Sequence, residues 1–109
     1  MTTIIFRKSE GGEYKELECH GHAGYDDYGK DIVCASLSVL VLNTLNSLDE
    51  LCQMTMQLEQ DAHKGYIHCI FPEPPDDGEK LLLDSLALGC IAIEKQYGRK
   101  YCRIKIEEV

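Results

Sequence analysis

The spacing of apolar and polar positions changes period four times along this chain. Residues 2–8 (TTIIFRK) make a short apolar run that predicts a strand, and Glu10-Gly11-Gly12-Glu13 supplies the turn after it. Tyr14 to His22 alternates. Leu17, Cys19 and Gly21 fall on one face, with Glu16, Glu18, His20 and His22 on the other. Gly, Asp and Tyr dominate 23–30, which predicts a loop. Asp31 is placed as an N-cap, and Leu37, Leu40, Val41, Leu45, Leu48 and Leu51 follow at helical spacing. The start of this helix is apolar on nearly every side, so the pattern predicts that end to be buried.

Alternation returns at Met54 to Ala62, and Tyr66 to Phe71 forms the second arm of a hairpin across His63-Lys64-Gly65. Pro72-Glu73-Pro74-Pro75 ends that arm and leads to Asp76 or Asp77 as a helix cap. Leu82, Leu86, Cys90, Ile93 and Tyr97 form an apolar stripe, Gly98 stops the helix, and Cys102, Ile104 and Ile106 define a last strand. The order β-β-α-β-β-α-β, with one-sided strands, predicts a single α+β domain over 1–109. Its architecture is two layers, a mostly antiparallel sheet covered on one face by two helices.

Charge narrows the partners. Eleven Lys and Arg against 19 Asp and Glu give −8, which disfavours nucleic acid and anionic membrane and favours a basic protein or peptide. Residues 1–6 lack a basic segment leading into a long apolar one, and Ile32 to Leu42 is short for a bilayer span. A cytoplasmic protein is expected, with no membrane contact. Six cysteines are spaced without a CxxC pair, so free thiols are expected and no zinc signature is visible.

Chemistry concentrates between Gly21 and Ala35. An imidazole, His22, stands at the end of a strand, and a thiol, Cys34, in the first turn of a helix. With Asp31 as N-cap, Cys34 lies at the third helical position, where the helix dipole and a nearby His⁺ favour a thiolate. Such a pair is the activated nucleophile of cysteine acyl transfer, and the same N–H groups are candidate oxyanion donors. Other readings stay open on spacing alone. A core cysteine is the default reading of Cys34; Gly24 and Gly29 serve any turn; Asp26, Asp27 and Asp31 suit loop solvation and a cap. Asp31 is also placed to orient His22. His20, His22 and Cys34 form a possible metal site, and Cys19 points away from it. Cys52, Cys69, Cys90 and Cys102, like Met54 and Met56, fit apolar core faces.

Gly21-His22-Ala23 followed by Gly29-x-Asp31-Ile32-Val33-Cys34-Ala35 strongly resembles the ribosomal-processing cysteine protease family, Prp. The resemblance spans the whole chain in length and element order, with its specific motif at 21–35. It implies a Cys34–His22 catalytic dyad, supported by Gly21, Ala23, Gly24, Asp26, Asp27, Gly29, Asp31 and Ala35, with no cofactor or metal. It also implies a cytoplasmic homodimer whose substrate is the short N-terminal extension of a bacterial large-subunit ribosomal protein. Ser36 stands where the family pattern has a small apolar residue. The 23–30 loop is expected to close over an extended peptide. The competing reading is a noncatalytic ribosome-associated binding or assembly factor that uses the same acidic surface.

Overall fold

Thr2–Lys8 forms β1 because its even positions, Ile4 and Phe6, bury completely while Arg7 turns to the opposite face. A computed structural model describes residues 1–22, 24, 26–27 and 31–109. After β1 come β2 (Tyr14–His20), α1 (Ile32–Glu50), β3 (Gln57–Asp61), β4 (Tyr66–Ile70), α2 (Asp77–Tyr97) and β5 (Cys102–Glu108). The five strands form one sheet in the order β3-β4-β2-β1-β5. Every neighbouring pair is antiparallel except β1 with β5. Parallel neighbours cannot be joined by a tight turn, and α2 carries the chain from β4 across to the far edge.

Register builds one apolar face. Ile4 stands opposite Cys19 and Ile104, Phe6 opposite Leu17, and Leu17 opposite Cys69. Both helices cover this face. Val33, Leu37, Val41, Leu45 and Leu48 of α1 and Leu83, Leu86, Ala87 and Cys90 of α2 join the strand residues in one core. Gly89 permits the close helix contact, since a Cβ there would meet the Leu40 side chain at 3.0 Å. The other sheet face carries buried Ile5 and a set of charged pairs. Arg7 binds Glu18 at 2.8 Å and Glu107 at 3.3 Å, and His68 lies 2.6 Å from Glu16.

Two sequence readings need adjusting. Ile32 is 50% exposed, so the start of α1 is not buried as a whole; Val33 beside it is fully buried. The helix also continues past Leu42 to 19 residues, long and apolar enough by length and composition to cross a membrane. Its apolar stripe is instead spent on the core described above. Of the two candidate caps of α2, Asp76 is the one used: it accepts from Glu79 N–H at 2.8 Å while Glu79 accepts from Asp76 N–H, a reciprocal box. All six cysteines are free thiols.

The connectivity has one consequence for chemistry. β2 ends, α1 begins and the β3–β4 turn closes at the same end of the sheet. Three segments distant in sequence are therefore brought to one place.

Candidate active site

A regular strand through residue 22 would send His22 to the sheet face that holds His20, away from α1. Instead β2 stops at His20, and Gly21 takes φ +87°. That left-handed value is accessible to glycine, and it swings the chain to the helix side. His20 stays behind, 3.9 Å from Glu18. The expectation that His22 shares a face with His20 is thus corrected, and with it the His20–His22–Cys34 metal reading. No cluster of three metal-ligating side chains occurs among the described residues.

Cys34 is set by the helix cap. Asp31, extended at φ −75° and ψ 101°, accepts from the Cys34 N–H at 2.9 Å, and the Asp31 carbonyl accepts from Ala35 N–H at 3.0 Å. The N-cap reading therefore holds. The oxyanion expectation changes in part, because the Cys34 and Ala35 N–H groups are already engaged by Asp31.

These two constraints bring the side chains together: Cys34 Sγ lies 3.8 Å from His22 Nδ1. On its far side, His22 Nε2 is 3.2 Å from the carbonyl oxygen of His63. That turn is held by Asp61, whose carboxylate accepts from the N–H groups of His63 at 3.0 Å and Lys64 at 3.3 Å. Gly65, at φ +58°, lies against Gly21 and His22; a Cβ there would stand 2.5 Å from the Gly21 oxygen.

The pair opens onto two adjoining clefts, each of about 340 Å³. The first runs between α1 and the β3–β4 hairpin, with a mainly apolar wall that includes Leu37, Val41 and Ile67. The second is bounded by Gly24, Asp26, Asp31, Ala35 and Ser38. Gly21, Gly24, Asp26, Asp31 and Ala35 thus line the clefts onto which the His22–Cys34 pair opens. Asp27 is exposed, its N–H bonded to Asp26 at 2.7 Å. Ala23 and Gly29 lie outside the described residues, as does much of the expected closing loop.

Sequence reading missed the hairpin side of the site. Asp61, His63 and Gly65 look like an ordinary turn, and the contact to His22 is made by a backbone carbonyl, which no residue identity announces. The glycine directly before β4, Gly65, was the signal available in the sequence.

Four of the other thiols, Cys19, Cys69, Cys90 and Cys102, are buried. Burial pushes Cys19 up to about 12, with nearby Cys90 and Glu18 adding to the effect; Cys90 rises to about 12 and Cys69 to about 11 for the same first reason. Cys102, also buried, is raised by desolvation and by Glu94. Cys34 is only partly buried and faces a cleft.

Comparison with known proteins points to cysteine-protease chemistry. Residues 1–102 match the family model for cysteine protease Prp. A Bacillus subtilis ribosomal processing cysteine protease Prp is 28% identical over 101 residues, covering 89% of this chain and 90% of that protein. Its Staphylococcus aureus counterpart is 26% identical over 97 residues, covering 89% and 92%. The crystal structure of the S. aureus protease with a covalently linked product peptide superposes with a TM-score of 0.92 at 24% identity, over 98% of this chain and 100% of that one. A Streptococcus mutans structure gives 0.85 at 29% identity, over 100% and 96%.

Proposed function

The chain belongs to the cysteine protease Prp family, and we propose that it removes the short N-terminal extension of a bacterial large-subunit ribosomal protein with Cys34 and His22 as its catalytic dyad. One observation carries this reading: Cys34 Sγ and His22 Nδ1 face each other at 3.8 Å on the wall of an open apolar cleft. The substrate class is supported by the relatives, which are named ribosomal processing proteases, and by the S. aureus structures that hold a substrate or product peptide. The charge of −8 suits a basic partner. Free thiols suit a cytoplasmic enzyme, and the homodimer rests on the family resemblance alone.

The chemistry uses a thiol, an imidazole and water. His22 Nδ1 takes the proton of Cys34 as Sγ attacks the scissile carbonyl carbon. The tetrahedral adduct collapses by breaking its C–N bond, and the Nδ1 proton passes to the departing amine. The mature protein leaves with a free N-terminus, and the extension stays on Cys34 as a thioester. Water then attacks the thioester carbon and gives its proton to Nδ1. That proton returns to sulfur as the C–S bond breaks, and the extension departs as a carboxylic acid.

Acid quenching during turnover tests the step. An extension peptide should appear as a mass increase on the fragment carrying Cys34. Cleavage with an adduct on another cysteine would overturn the assignment.

A further inference from the structure

The carbonyl oxygen of His63 can only accept a hydrogen bond, so the proton between it and His22 Nε2 belongs to the imidazole. A neutral ring with its proton on Nε2 has a bare lone pair on Nδ1, the nitrogen that faces Cys34. The opposite tautomer would leave two acceptors facing each other across 3.2 Å and place the proton where the base must be empty. The backbone of the hairpin therefore prepares this ring for the base role.

We propose that the β3–β4 turn is the third member of the site: the His63 carbonyl fixes the reactive tautomer of His22, with Asp61 and Gly65 as the positioning residues that hold it there. This rests on the dyad reading above. Two observations make the turn specific. Asp61 accepts from two successive N–H groups, which orients the peptide units around His63. Gly65 permits an approach that a side chain would block, since a Cβ would sit 3.1 Å from His22 Cε1 as well as 2.5 Å from the Gly21 oxygen. The same bond persists when the ring is protonated, because both nitrogens then donate. His22 thus keeps one orientation through each proton transfer, as an orienting acceptor behind a catalytic histidine should allow.

The test compares Asp61→Ala, Asp61→Asn, Gly65→Ala and a remote control, Gly12→Ala. Gly12 also has a left-handed φ, +86°, with open space around it. Two readings are taken: the ¹⁵N signals of the His22 ring above its titration, and kcat and KM for a peptide spanning the extension junction. The wild-type ring should show the proton on Nε2. Asp61→Ala and Gly65→Ala should populate the second tautomer and lose kcat by roughly tenfold to a hundredfold with KM little changed. Asp61→Asn, which keeps the acceptor, should restore both readings, and Gly12→Ala should match wild type. A wild-type ring protonated on Nδ1, or full kcat in Asp61→Ala and Gly65→Ala, overturns the proposal. Cleavage by Cys34→Ala would instead overturn the dyad, whatever the tautomer.

Discussion

The Cβ that Gly21 lacks would stand 2.3 Å from the carbonyl oxygen of Met1, on a backbone already at φ +87°. No side chain fits there without moving β1 or the end of β2. Because this residue turns His22 out of the sheet register, Gly21→Ala should cost roughly 1–3 kcal/mol in urea denaturation and should also abolish peptide cleavage. Stability loss with normal cleavage would show that His22 reaches Cys34 by another route.

Among the six thiols, Cys34 should alkylate fastest near neutral pH. Cys19, Cys69 and Cys90 combine burial with values pushed up to about 11 or 12, so few of their thiolates exist at pH 7. Cys52 is the one competitor with access, and burial together with Glu79 and Asp76 raises it. Peptide mapping after brief iodoacetamide treatment reads the order. First labelling at Cys52 would remove the reactivity argument for Cys34.

Stability should fall on the alkaline side. A thiol whose native pKa is raised stabilises the fold fully below its unfolded value near 9, and that contribution disappears as pH climbs through the native value. Between about pH 9 and 11 the unfolded chain releases protons that Cys19, Cys69 and Cys90 still hold. Urea midpoints should therefore drop steeply over that window, and less steeply in Cys90→Ala. Tyr14 adds to the trend at higher pH, raised by burial and by its hydrogen bond to Asp84 at 2.6 Å. A flat midpoint from pH 8 to 11 would contradict this.

Much of this fold was legible because its strands are one-sided. Leu17 and Cys19 alternate with Glu16 and Glu18, and α1 begins where Asp31 could cap it. The two side chains that meet at 3.8 Å, His22 and Cys34, stood out too, through the motif around 21–35. What escaped was geometry that spacing cannot encode. Strict alternation put His22 on the wrong face, since a single glycine dihedral overrides the period of the strand. The Asp31 carboxylate took the Cys34 N–H that looked available for an oxyanion. The His63 contact is made through the backbone and across 41 residues, so no local pattern could reveal it.

Charge should govern substrate capture. Asp26 and Asp27 are exposed beside the second cleft, and attraction between exposed charges is screened over about 8 Å at physiological ionic strength. For a basic extension peptide, kcat/KM should decrease with added salt, mainly through weaker capture. Asp26→Lys with Asp27→Lys should lower kcat/KM and flatten that dependence. A salt-independent rate, unchanged in the double variant, would assign recognition to the apolar cleft alone.

The central claim is that Cys34 and His22 cut a ribosomal-protein precursor, and intact mass tests it directly. The large-subunit precursor, with its extension in place, is incubated with wild-type protein, Cys34→Ala or His22→Ala, each variant first shown to be folded by circular dichroism. Wild type should convert the precursor to two products, whose masses sum to that of the precursor plus one water. Both variants should leave its mass unchanged. Conversion by Cys34→Ala at the wild-type rate, or an unchanged precursor with wild type, would contradict the account.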